Sequence, residues 1–167
     1  MWHKFRDVVG HRLHLSFCRN NRHGEEGFSL VELIIVVAIM AVLAAIAVPS
    51  YNKLINRAKV TSATSTIKTI EWAVTAYFID TGVYPNAIGD INFQNTLDPF
   101  GNNYVYVNVA NVPASARTIA GTPINIDFDI YSKGADGDSA LSLLDPSSSD
   151  DIIRASEGSY MGLVSAF

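Results

Sequence analysis

The chain has 167 residues, with 12 Lys and Arg against 16 Asp and Glu and a hydrophobic content of 49%, which suits one domain plus a membrane element. All four histidines (His3, His11, His14, His23) and the single cysteine, Cys18, fall near the N-terminus. The rest therefore lacks the commonest nucleophile and base pairs, most zinc sites and any internal disulfide, and catalysis has little support. From Phe28 onward 7 basic side chains face 13 acidic ones, a net charge of −6, which is no footprint for nucleic acid.

In chain order, the segment ahead of Phe28 carries Lys4, Arg6, Arg12, Arg19 and Arg22 against Asp7, Glu25 and Glu26. An apolar run without a polar interruption, Leu33 to Val48, follows. Counted from Phe28 to Val48, at about 1.5 Å per residue, this is roughly 31 Å of helix, the thickness of a hydrocarbon core. A membrane span is expected, because a buried core helix would show a polar stripe and this run has none. The basic excess ahead of it holds the N-terminus in the cytoplasm and sends the remainder across.

Two cleavage positions compete. Ala45-Ile46-Ala47 fits a signal-peptidase pattern that would free a secreted acidic module. A cut after Gly27 would instead keep the helix. The long leader, the placement of Glu32 and the smooth continuation past Ala47 favour Gly27.

Beyond Val48, residues Ile55, Ala58, Ala63, Ile67, Ile70, Val74 and Tyr77 recur at helical spacing, with Lys53, Arg57, Lys59, Lys68 and Glu71 on other faces. The sequence predicts one helix from Phe28 to about Ile79, kinked or locally melted at Pro49 and held at the weak helix formers Thr61 to Thr66 by packing. Gly82 and Pro85 supply the stop. Two antiparallel strands are expected at Tyr104–Val109 and Ile124–Tyr131. In the second, Ile124, Ile126, Phe128 and Ile130 should face the helix, and Asn125, Asp127, Asp129 and Tyr131 solvent. Asp98-Pro99 and Gly101 form a turn, and residues 111–123 a loop.

The stretch "GFSLVEL" resembles the prepilin peptidase motif of type IV pilins and type II secretion pseudopilins. The resemblance implies that Gly27 ends the leader, that Phe28 becomes an N-methylated N-terminus and that Glu32 is the assembly glutamate. Pro49 sits where the family places a proline. An intramembrane acid implies a partner, since a bare carboxylate near the bilayer centre costs about 2.5 to 3.5 kcal/mol. The new amine on Phe28 of a neighbouring subunit would supply one. The alternative is that Glu32 snorkels to the interface.

Farther on, "DPFGNNYVY" and "FDIYSKGADGD" are similar to the major pseudopilin family, where a turn leads into the sheet and a Ser-x-Gly-x-Asp-Gly segment opens a calcium loop. This chain departs from the family in a short segment between Pro85 and Asp98 and in Leu141 to Ser149, which lengthens the loop with an apolar patch. The acids Asp127, Asp129, Asp136, Asp138, Asp145, Asp150, Asp151 and Glu157 crowd into one segment with only Lys133 and Arg154 as counter-charges. Calcium takes six to eight oxygens, and Gly134 and Gly137 permit the tight path that turns carbonyls inward. The candidate ligands are Asp136, Asp150 or Asp151, and the carbonyl of Ser132 and its neighbours; the other reading is a solvated acidic surface.

The expected fold is α+β: a long N-terminal helix on a small antiparallel sheet with a C-terminal calcium loop. The expected organisation is a leader (1–27), a transmembrane and assembly helix (28–48), an amphipathic continuation (49–82) and a periplasmic β-rich cap (83–167) with its acidic loop at 131–157. The implied protein is a single-pass inner-membrane subunit of a helical pseudopilus, or else a major or minor pilin. Its implied partners are prepilin peptidase, further copies of itself, minor pseudopilins, the secretion platform and the membrane, without nucleic acid.

Overall fold

The computed structural model describes residues 27–167. The basic leader cluster, the four histidines and Cys18 lie outside the described residues. Residues 27–29 precede the first helix, and α1 runs Leu30–Thr81. Its N-terminal half is exposed on every face. The helix passes Pro49 without interruption, where the sequence predicts a kink or local melting. A proline removes one amide donor, and beside it Ser50 Oγ donates to the Ile46 carbonyl at 3.0 Å. The threonine-rich stretch behaves the same way: Thr61, Thr64, Thr66 and Thr69 each donate to the carbonyl four residues back, so their hydroxyls stay within the helix. The stop falls where expected, with Gly82 at φ 76 donating to the Phe78 carbonyl at 2.8 Å.

The chain divides into two compact units, the second being Leu43–Phe167. In that unit α1 buries Ala63, Ile67, Ile70 and Val74, one stripe at four- and three-residue spacing. The strands that follow are β1 (Val105–Val107), β2 (Thr118–Ile119), β3 (Thr122–Pro123), β4 (Asp129–Ser132), β5 (Ile152–Ala155) and β6 (Tyr160–Leu163). Four of them form an antiparallel sheet in the order β1-β4-β5-β6, and β2 pairs with β3 in a separate hairpin. Alternate residues of a strand face opposite sides, and the sheet accordingly has two apolar faces. Ile130, Ile152, Phe128 and Tyr104 pack with the α1 stripe. On the other face Ile153 and Ala155 pack with Ile124 and Leu143.

Several expectations are corrected. The first strand is confined to Val105–Val107, and the second expected strand begins only at Asp129. Phe128 and Ile130 face α1 as predicted, but Ile124 packs on the opposite face, Ile126 is 74% exposed, and Asn125 and Asp129 are buried, so the predicted alternation holds only in part. Asn125 Nδ2 donates to Asp129 Oδ1 at 2.7 Å and to the Arg154 carbonyl at 2.9 Å. Buried polar groups must be paired, and this pairing turns the segment inward at Asn125. Glu71 is also buried, for reasons given below. The expected loop at 111–123 contains the β2–β3 hairpin, and residues 152–163, where no strand is expected from the sequence, supply β5 and β6.

Candidate functional site

Two regions carry the sequence-derived candidates. In the first, Gly27 and Phe28 precede the helix, the Ser29 carbonyl accepts the Leu33 amide at 3.1 Å, and Glu32 falls in the first turn. An acid there is favoured by the partial positive charge of the unpaired amides. Phe28, Glu32 and the apolar side chains that follow are all exposed, an arrangement stable only against lipid or other helices. Pro49 lies within the same helix.

The second region is the loop between β4 and β5. Asp98 organises its entry: Oδ1 accepts the amides of Phe100 at 2.9 Å and Asn102 at 2.8 Å, and Oδ2 accepts the Ser132 hydroxyl at 2.5 Å. Ser132 is buried and pairs with Ile152 across the sheet. Gly134, at φ +66, brings its backbone against Asp150, and a Cβ there would lie 2.5 Å from the Asp150 carbonyl oxygen and carboxylate, so only glycine fits. Asp150 Oδ2 accepts the amides of Ala135 at 2.7 Å and Asp136 at 3.2 Å. Asp136 itself is exposed, with Oδ1 accepting the Asp138 amide at 2.9 Å.

Asp151 is fully buried, and its Oδ2 accepts from Arg117 Nη2 at 2.6 Å and from the Ser139 hydroxyl at 2.7 Å. Burial pushes the Asp151 carboxyl up against the pull of Ser139 and Arg117, and the neighbouring Asp150 adds to the rise. The loop thus gathers Ser132, Asp150 and Asp151, with Asp136 at its rim. Among the described residues two buried acceptors, Asp150 Oδ1 and Asp151 Oδ1, have no hydrogen-bond partner, and neither do Nε and Nη1 of Arg117. Among the described residues no three His, Cys, Asp or Glu side chains converge on one point, so a cation here would depend on carbonyl oxygens as well.

Sequence reasoning missed the buried arginines. Arg117, 1% exposed, lies over the Tyr131 ring at 4.2 Å. Arg154, 3% exposed, meets Glu71 at 2.9 Å and both oxygens of Asp127 at 2.9 and 2.7 Å, and its guanidinium stacks on Phe128 at 4.0 Å. The available signal was the scarcity of basic residues among so many acids: a carboxylate that is buried needs a partner, and few arginines and lysines stand ready to be one.

Comparison with known proteins agrees with this geometry. Residues 22–48 match the prokaryotic N-terminal methylation motif. The chain is 31% identical to the type II secretion system core protein G of Pseudomonas aeruginosa, over 70% of this chain and 87% of that protein. It is also 31% identical to a fimbrial protein of Neisseria meningitidis, over 68% and 69% of the two chains. With the type IV major pilin protein PilE of Neisseria gonorrhoeae it shares 41% identity, over 65% and 64%. No solved structure matches it significantly. These similarities and the methylation motif, together with an exposed apolar helix and a four-stranded antiparallel sheet, place this chain in the type IV pilin-like family, to which pilins and type II secretion pseudopilins both belong.

Proposed function

We propose that the chain is the precursor of a structural subunit of a helical pseudopilus in type II protein secretion, cut after Gly27 by prepilin peptidase and assembled through α1. The observation that carries this reading is the N-terminal half of α1, apolar and exposed on all faces with Glu32 in its first turn. Such a surface is covered by lipid while the subunit waits in the inner membrane, and by neighbouring helices once it joins the filament. The Phe28 amine of one subunit neutralises Glu32 of the next, removing the cost of burying either charge alone. The cap then faces the periplasm, where minor pseudopilins and the secretion platform complete the machine. Intact mass tests the processing step: the mature chain should begin at Phe28 and carry one extra methyl. A chain starting at Val48 would sink the reading.

A second reading, a type IV pilin for motility or adhesion, draws on the 41% identity to the gonococcal pilin. Coverage of 87% of the secretion protein against 64% of that pilin favours secretion. Deleting the gene separates them, since loss of exported protein with surface motility intact supports the first and the reverse supports the second.

The proposal extends to calcium. Asp150 enters no ion pair among the described residues, its Oδ1 and that of Asp151 are buried without partners, and a divalent cation answers both deficits. Asp136, Asp150 and Asp151, with the Ser132 carbonyl and its neighbours, would hold it, closing the loop that no disulfide closes. At one hundred times its dissociation constant calcium should stabilise the chain by about 2.7 kcal/mol. Magnesium should do so poorly, because it keeps its waters and requires a tighter octahedron. Melting curves of the processed protein in calcium, magnesium and chelator test this; equal responses to both metals, or a response that survives Asp150→Ala, would remove calcium.

A further inference from the structure

In the lengthened loop, Leu141 is 54% and Leu144 70% exposed, while Leu143 between them is buried. This segment is pinned rather than loose: the Thr118 amide donates to the Leu141 carbonyl at 2.8 Å, and the Leu143 amide to the Thr118 carbonyl at 2.9 Å. Acids flank the two leucines, Asp138 on one side and Asp145 on the other. Elsewhere in the same unit a groove runs between α1 and β6, the last strand of the sheet. It consists of adjoining hollows of about 530 and 370 Å³ that share Val60 and Thr61. Met161 and Leu163 add to its apolar lining, and Arg57 and Lys68 mark its two ends. Lys68 is paired with Glu71 at 2.6 Å, whereas Arg57 enters no ion pair among the described residues.

We propose that Leu141 and Leu144 of one subunit dock in the α1–β6 groove of a second copy, with Asp138 and Asp145 set against Arg57 and Lys68. The inference deepens the filament reading and rests on it. Two apolar knobs between acids match an apolar floor between bases, in both character and sign. The layering supplies the direction. Leu143 is buried against Ile153 and Ala155, on the sheet face opposite α1, whereas the groove adjoins α1 itself. The knobs and the groove therefore cannot meet within one chain. A contact between two different patches of identical subunits is head-to-tail, and it builds a ring or an open helix rather than a closed dimer.

Cysteine crosslinking tests it cleanly, because Cys18, the one cysteine of the sequence, precedes the proposed cut after Gly27. Full chains carrying Leu144→Cys, Thr61→Cys or both are expressed with prepilin peptidase and the assembly machinery, then oxidised and run without reductant. The doubly substituted chain should give a ladder of multimers, each single variant only monomers, and a mixture of the two single variants dimers and nothing larger. Leu144→Asp should lower filament yield about tenfold or more, as expected for putting a charge into an apolar contact. Normal filaments without a ladder, a ladder from either single variant, capture of a different protein by Leu144→Cys alone, or wild-type yield from Leu144→Asp would each overturn the contact while the filament reading stands. Failure of the unsubstituted chain to form filaments would overturn both.

Discussion

Arg154→Met should be among the most damaging single changes outside the hydrophobic core. The guanidinium is 3% exposed and makes four bonds: to Glu71 on α1, to both oxygens of Asp127 and to the Phe128 carbonyl at 2.9 Å. Burial alone would lower its basicity, but the bonds and charges of Asp127 and Glu71 raise it above the ordinary arginine range, so the group is held charged. Methionine keeps much of the volume and leaves two mostly buried carboxylates whose remaining partners among the described residues are Lys68 for Glu71 and the Phe128 amide for Asp127. Breaking a buried pair in this way costs about 3 to 5 kcal/mol, a large share of the roughly 5 to 15 kcal/mol of a typical domain. Urea unfolding of the processed protein in detergent, followed by circular dichroism, measures it. Adding Glu71→Gln and Asp127→Asn should recover most of the loss, because the penalty is the orphaned charge rather than the missing attraction. A cost below about 1 kcal/mol for Arg154→Met, as for a surface ion pair, would refute the reasoning.

Gly158→Ala should destabilise by about 2 kcal/mol or more, since φ is +89 and the new Cβ would fall on Glu71 Oε1; the same unfolding curves read it, and a neutral result would mean the Glu71 bond is dispensable. Asp98→Ala removes the acceptor of two amides and the Ser132 hydroxyl and should cost about 2 to 3 kcal/mol in the same assay. Asp129 is raised from 3.8, first by burial, which the Arg117 amide and Asn125 only partly offset. The native state therefore binds its proton more tightly than the unfolded chain, and the stability of wild type relative to Asp129→Asn should fall as pH rises from 3.8 and then level off. Denaturation midpoints of the two proteins across that window check the sign, and a relative stability that grows with pH would contradict it.

The long helix and its exposed apolar run were legible because period and length are local properties of sequence: the stripe through Ala63, Ile67, Ile70 and Val74 is where the spacing puts it. The motif at Gly27 to Glu32 was legible for the same reason. The sheet was read only in part, since "INIDFDIY" alternates like a strand while Asn125 and Asp129 are drawn inward by bonds to the Arg154 carbonyl and the Arg117 amide, which lie far away in the chain. Nothing local distinguishes an aspartate bound for such a partner from one bound for water. Likewise β5 depends on pairing with β4, and β6 on pairing with β5, and their short runs, broken by Arg154 and Gly162, carry little signal of their own. In the acidic loop, composition singled out Asp150 and Asp151 as candidates but carries no sign that Arg117, distant in the chain, donates to Asp151.

Filament assembly depends, on this account, on α1 joining subunits through the pairing of Glu32 with a neighbouring Phe28 amine. The most direct measurement is the yield of sheared, chemically crosslinked filaments from cells making wild-type or Glu32→Ala chains, with cleavage followed by mass in the same samples. Glu32→Ala should be cleaved and inserted normally, because removing an intramembrane charge eases insertion, yet its filaments should be lost. Filaments at wild-type yield from the cleaved Glu32→Ala chain would contradict the account.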